Sequence, residues 1–261
     1  PSWSPDGHSV AYQSKQPEGT GIRIVRPAET GSDQGMNHRS PWNYAPRWSP
    51  DGKKLVYTSC DDTSPLRHIV VLTLDTGEET VWGAEQTGFM TTAWLPSLDL
   101  MKALDPESND SDNAAALLEL GAEAETHGAI IATSLIDTPP HLGTDLFIVT
   151  PSWSTPVLSF LDRDNRRSIA YKVTPDHKAR QIAYESNYGG DRELFVLGRR
   201  GIANVSNHPA ADWNPVWSPD NEWLAFESFR QGPRGIYRVL ASTGNVVPVY
   251  TGDTYQCWAP D

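Results

Sequence analysis

The chain has 261 residues, 38% hydrophobic and 21% charged, enough for one large all-β domain or two ordinary ones. Lys and Arg number 21 against 33 Asp and Glu, a net charge of −12, so the surface repels a phosphate backbone and nucleic acid is not an expected partner. No apolar run reaches bilayer-spanning length, and no basic-then-apolar leader stands ahead of Pro1, so the expected chain has lost its targeting peptide or never carried one.

Taken in order, the chain repeats itself. Trp3–Ser14 reads WSPDGHSVAYQS, Trp48–Ser59 reads WSPDGKKLVYTS and Trp217–Ser228 reads WSPDNEWLAFES. Val173–Ser186, VTPDHKARQIAYES, is a looser copy, Trp94-Leu95-Pro96-Ser97 a worn one, and Trp258–Asp261, WAPD, opens another. Within a copy Pro fixes φ, Asp bonds backbone amides two residues on, and Gly accepts positive φ, so the centre of the motif is a tight turn. A strand ending in Trp enters it and an alternating apolar strand leaves it, which reads as a β-hairpin. Third strands are expected at Ile22–Val25, His68–Leu74, Leu146–Val149, Leu194–Leu197 and Ile236–Leu240. Fourth strands follow at Thr80–Trp82, Val157–Leu161 and Val246–Tyr250. Four antiparallel strands in roughly 40–45 residues make one blade of a β-propeller.

The markers at 3, 48, 94, 173, 217 and 258 lie 45, 46, 79, 44 and 41 residues apart, and the 79-residue gap is close to two units. Inside it His127–Ser134, HGAIIATS, matches a second strand, which puts the missing Trp slot at Glu123. The expected fold is therefore all-β: a single β-propeller domain over 1–261, six-bladed, with four-stranded antiparallel blades and an irregular blade or insertion at about 95–170. Five blades with one large insertion in the third is the alternative. The acidic run 105–112 and the Ala- and Leu-rich 113–121 break the strand pattern, and a short helical insertion is expected near 107–125, capped by Ser111 or Asp112 and ended by Gly121.

Chemistry is sparse. There is no Gly-x-Ser-x-Gly elbow, HExxH, P-loop or dinucleotide fingerprint, and the seven histidines are scattered rather than paired at ligand spacing. Cys60 and Cys257, in different repeats, read as separate half-buried thiols, not a disulfide. The repeated Asp6, Asp51, Asp176 and Asp220 read as turn builders rather than metal ligands. Trp3, Trp48, Trp94, Trp217 and Trp258 share one slot and are expected to pack between blades. No catalytic residue, metal or cofactor is assigned.

Other aromatics fall in the connections that share one face of such a fold: Trp42, Tyr44, Phe89, Tyr188, Trp213, Phe229 and Tyr255. Charged neighbours include Asp61, Asp62, Asp191, Arg192, His208, Asp212, Arg230 and Arg234. Aromatic residues with Arg and few Lys are the composition of binding hot spots. The candidate ligand- or partner-binding set is Trp42, Tyr44, Tyr188, Asp191, His208, Asp212, Trp213 and Arg230. The bland reading of Trp42 and Trp213 is that they seal the blade junction.

WSPDG followed by a strand ending in Ser, the run Asn187–Val196, and Asn207–Asp220 (NHPAADWNPVWSPD) together resemble the TolB-like propeller repeats of bacteria. The resemblance covers most of 1–93 and 173–261 and fades between about 95 and 170. It implies a six-bladed ring, periplasmic or extracellular, with proteins, peptides or small ligands docking on one face or at the central channel. A non-enzymatic binding platform is the favoured function. A gating or sensor module of a larger peptidase or signalling protein, suggested by the chain stopping inside a repeat, is the alternative. A carbohydrate-active enzyme working at the channel mouth through its carboxylates is a third.

Overall fold

Strand follows strand along the chain, and neighbours in sequence pair antiparallel. The protein is described here from a computed structural model that covers residues 1–64, 66–83, 88–97, 121–138, 141–152, 154–156, 170–178, 180–187 and 190–251. These residues form five four-stranded sets. The first comprises β1 (Ser2–Trp3), β2 (Val10–Gln16), β3 (Gly19–Val25) and β4 (Gln34–Gly35); the second comprises β5 (Trp42–Trp48), β6 (Lys54–Cys60), β7 (His68–Thr73) and β8 (Glu78–Trp82). A single parallel bridge, Thr20 to Trp42, joins these two into an eight-stranded sheet. The third set is β9 (Phe89–Leu95), β10 (Ala129–Thr138), β11 (His141–Val149) and β12 (Ser154–Pro156). The fourth is β13 (Ala170–Pro175), β14 (Gln181–Ser186), β15 (Glu193–Gly198) and β16 (Gly201–Asn204), and the fifth is β17 (Asp212–Trp217), β18 (Trp223–Ser228), β19 (Gly235–Leu240) and β20 (Asn245–Thr251). The all-β architecture of four-stranded antiparallel sets is the one expected.

The chain forms two compact units: Pro1–Trp94 with Glu119–Leu135 and Leu146–Val157, and Leu95–Leu118 with Ile136–Asp145 and Leu158–Asp261. Each has its own core. In the first, Ala11, Ile22, Leu55, Tyr57, Val70 and Leu72 pack sets one and two together. In the second, Ala183, Leu194 and Val196 of set four meet Trp217, Leu224, Phe226, Tyr237 and Val239 of set five. In sets two and four the middle strands are buried along nearly their whole length, and their third strands, β7 and β15, read as nearly continuous apolar runs.

The turn chemistry is as expected at three copies. Ser4, Ser49 and Ser218 donate their hydroxyls to Asp6, Asp51 and Asp220 at 2.5, 2.6 and 2.5 Å, and each Asp accepts the amide two residues on. Each serine oxygen in turn accepts the amide of Ser9, Lys54 or Trp223, so one hydroxyl ties both ends of the turn. These bonds hold the three aspartates below the usual carboxylate range, the serine bond contributing most.

The fourth copy differs. Its register pairs Pro175 with Ile182, where set five pairs Trp217 with Leu224. Asp176 therefore stands in the serine place rather than the turn-aspartate place, and it is buried, accepting the amides of Lys178 and Arg180. The Pro-Asp of this copy lies two residues earlier in the register than the Pro-Asp of the others.

Set three corrects a second expectation. β10 lies beside β9, so His127–Ser134 completes the sheet begun by Trp94 instead of opening a unit with a slot at Glu123. Glu123 sits on a short helix, α1 (121–127), and its carboxylate accepts the Thr150 hydroxyl at 2.5 Å and the Ser152 amide. Gly121 belongs to the helix rather than ending it. Gly128 ends it, at φ +87° with its amide on the Ala124 carbonyl. The rest of the expected insertion, including 98–120, falls outside the described residues, as do Val157–Leu161, Cys257 and Trp258. Cys60 is a buried free thiol, its pKa pushed up by burial.

The marker tryptophans link set to set. The indole N–H of Trp48 donates to the Ser2 carbonyl at 3.0 Å, that of Trp94 to the Arg47 carbonyl at 3.3 Å, and that of Trp217 to the Thr174 carbonyl at 3.0 Å. Ser2, Arg47 and Thr174 occupy the same register position in the preceding set, one residue before the marker place. Among the described residues Trp3, 40% exposed, makes no such bond. Trp217→Phe removes this donor and leaves a carbonyl without it, and is expected to lower unfolding free energy by about 1–2 kcal/mol in urea titration, with Trp3→Phe close to neutral.

Candidate functional site

The first strand of a set is interrupted by a bulge. In β5 it falls at Ala45-Pro46 and in β17 at Asn214-Pro215, and Ala45 and Asn214 adopt φ of +52° and +57°. The bulge turns an amide out of the ladder, and a side chain of the preceding set receives it. Gln13 Oε1 accepts from Ala45 N at 3.1 Å, and Glu185 Oε1 from Asn214 N at 2.7 Å. Both acceptors immediately precede the serine that recurs in the second strand, Ser14 and Ser186. That slot reads Gln13, Thr58, Thr133, Glu185 and Glu227 along the chain.

Beside the bulge lies a recurring pair. Tyr44, Tyr171 and Trp213 hold equivalent register positions just before it, and each carries a guanidinium on its ring: Arg67 at 4.1 Å, Arg192 at 3.8 Å and Arg234 at 5.8 Å from the ring centre. Each arginine immediately precedes the third strand of its own set, so the pair sits where the second-to-third-strand connection leaves the sheet. All six residues are half-buried.

In the second unit the slot carboxylates complete the arrangement. Arg192 pairs with Glu185 at 3.4 Å and Arg234 pairs with Glu227. Asn214 joins them: its side chain donates to Glu227 Oε1 at 3.1 Å and accepts from Lys172 Nζ at 3.3 Å, while its backbone donates to Glu185. The Trp213 indole donates to Glu227 Oε2 at 3.1 Å, and its ring tilts against Phe229 at 5.3 Å. The result is a continuous band of aromatic faces and fork-shaped donors. Burial pushes the Glu185 carboxyl above the usual range, with the nearby Glu227 charge acting the same way against the Asn214 amide, Lys172 and Arg192.

The residues expected from sequence distribute as follows. Trp42 lies in β5, half-buried, its indole on Asp62 Oδ1 at 2.8 Å; Tyr44 and Trp213 carry the stacked arginines described above. Asp212 and Arg230 are buried against each other at 2.8 Å, with Arg230 between the Phe226 and Tyr237 rings. They present little surface. His208 builds a local turn: its Nδ1 accepts the Ala210 amide at 3.0 Å and its own amide goes to Glu193. Asp191 is exposed, and Tyr188 lies outside the described residues. Tyr171, Arg67, Glu185 and Glu227 were missed by the sequence reading. The Glu185 and Glu227 slot was visible as the residue before the strand-ending Ser; the stacked pairs needed the strand register.

Because native Glu185 holds its proton more tightly than the unfolded chain does, its contribution to stability falls as pH climbs from the ordinary glutamate value, about 4.3, through the raised one. Glu185→Gln is expected to flatten that part of the profile, measured by urea unfolding at a series of pH values between about 4 and 8.

No family profile matches the chain. One curated relative, the Tol-Pal system protein TolB of Alcanivorax borkumensis, is 43% identical over 63 residues, 24% of this chain and 14% of that protein. The matched stretch thus spans about a seventh of the relative's length. Among solved structures, a TolB-type protein from Agrobacterium tumefaciens superposes with a TM-score of 0.67 at 16% identity, over 96% of this chain and 79% of that one. The β-propeller domain of the Trilobed protease from Pyrococcus furiosus gives 0.62 at 12% identity, over 96% and 70%. Together with the WSPDG turns and the four-stranded sets, these likenesses show a β-propeller fold similar to that of TolB-type proteins.

Proposed function

We propose that the protein is a non-enzymatic binding platform, engaging a protein or peptide through the aromatic rings beside the bulges, Trp42 and Tyr44 in the first unit and Tyr171 and Trp213 in the second. The observation that carries this reading is the recurrence of a half-buried aromatic ring with a stacked arginine at one register position in three sets. Such rings offer large rigid area with a donor fork at the edge, which is what interface hot spots are made of. Of the other expected residues, Asp191, His208, Asp212 and Arg230 would then shape and brace the second unit around Trp213 rather than perform chemistry.

The curated relative belongs to a Tol-Pal system, so Tol- and Pal-type proteins encoded in the same genome are the first partners to test, in the periplasm or outside the cell. No helix among the described residues is long and apolar enough to cross a membrane. Likeness to a protease propeller supports the alternative in which this propeller is a module of a larger peptidase. The coding sequence on either side of these residues distinguishes the two.

Against a Tol- or Pal-type partner, the double variant Trp42→Ala, Trp213→Ala is expected to weaken binding by roughly tenfold or more, measured by calorimetric titration, with the thermal midpoint monitored in parallel. Unchanged affinity for every such partner would remove these rings from the proposal.

A further inference from the structure

The slot that carries Glu185 in the fourth set and Glu227 in the fifth carries Thr58 in the second. Arg192 and Arg234 each meet the carboxylate of their own set. Arg67, in the matching place and 4.1 Å from the Tyr44 ring, has no carboxylate within ion-pair distance among the described residues. Its acidic neighbours are engaged elsewhere: Asp61 Oδ1 accepts from Thr63 and Ser64, and Asp62 Oδ1 from the Trp42 indole. Directly across from Tyr44, the buried Thr58 Oγ1 lacks a hydrogen-bond partner among the described residues.

A second guanidinium of the same set is also uncompensated. Arg47, three residues along β5 from Tyr44, donates to the Pro46 carbonyl at 3.0 Å and meets no carboxylate among the described residues; burial holds its pKa below the ordinary arginine value. In a chain of net charge −12, neither guanidinium meets a carboxylate among the described residues, and each keeps donors that an anion can take. Stacking on Tyr44 keeps the Arg67 plane fixed, so its paired N–H groups present a preformed fork. A carboxylate matches that fork with one negative charge. A phosphate dianion brings more charge toward Asp61 and Asp62 and has only this fork to hold it.

We infer that Arg67, held on Tyr44 and facing Thr58 where the fourth and fifth sets carry a glutamate, is a receptor for a carboxylate of the bound partner. This rests on the platform reading only in taking the carboxylate from a partner protein. The full chain is titrated with Ac-Gly-Glu-Gly-NH2, Ac-Gly-Gln-Gly-OH, Ac-Gly-Gln-Gly-NH2 and inorganic phosphate while the arginine Nε–Hε resonances are followed by NMR. The side-chain acid, the C-terminal acid, or both are expected to shift Arg67 saturably, with at least roughly tenfold tighter binding than the uncharged peptide. The stronger of the two acids names the source. Thr58→Glu installs the acid that the fourth and fifth sets already accommodate, and is expected to abolish the response; Thr58→Gln, of the same size without charge, is expected to retain it.

Equal binding of the uncharged peptide, a tighter response to phosphate, or an unaltered response in Thr58→Glu each overturns the inference. If the acids bind Arg67 while no Tol- or Pal-type partner binds, the receptor stands and the platform reading falls. If a partner binds through Trp42 and Trp213 while Arg67 ignores both acids, the platform stands and the receptor falls.

Discussion

One indole-to-carbonyl bond organises each junction whose marker tryptophan donates. The marker tryptophan reaches back from its own set to the carbonyl one residue before the equivalent place in the set before. Its ring fills the space between two sheets while its N–H satisfies a group that the ladder leaves over, so packing and hydrogen bonding are met by a single side chain. The Ser-Pro-Asp turn follows the tryptophan immediately and is locked by its own serine. The place where one sheet hands over to the next is therefore also the place where the chain reverses.

With the junction held, the first strand can tolerate a bulge. Ala45 and Asn214 adopt backbone conformations that L-residues avoid, and a side-chain oxygen of the preceding set takes the amide that each exposes. The bulge aims Tyr44 and Trp213 away from the ladder, where arginines from the neighbouring connection lie over them. Strain at the strand thus positions the aromatic face. In the second unit the amide acceptor Glu185 is also the counter-ion of Arg192, which is why its desolvation is tolerated.

Much of this was legible because repetition makes each copy a control for the others. WSPDG turns, the apolar second strands and most third strands could be placed from spacing alone. The failures have physical causes. In the fourth copy Asp176 mimics the turn aspartate by following Thr-Pro, yet strand pairing puts it in the serine place, and pairing is a long-range property. Around 95–134 the strand that looked like a new unit is completed by Trp94 across a helix-containing connection, which local pattern cannot reveal. Among the binding candidates, aromatic type was informative for Tyr44 and Trp213. Charge type was not: Asp212 and Arg230 neutralise each other in the interior, whereas Arg67, which drew no attention in the sequence, meets no carboxylate among the described residues.

The identical chemistry of successive junctions has a further consequence. At these junctions, the donor and acceptor that one sheet offers its successor are the same pair that the next sheet offers, so the sheets are interchangeable as neighbours. Duplication or loss of a whole repeat during evolution presents the new neighbour with a contact it already knows how to make. Copy number in such a gene can drift while the local fold persists, leaving selection free to act on the few slots, such as the one that reads Gln13, Thr58, Thr133, Glu185 and Glu227, where the copies have ceased to match.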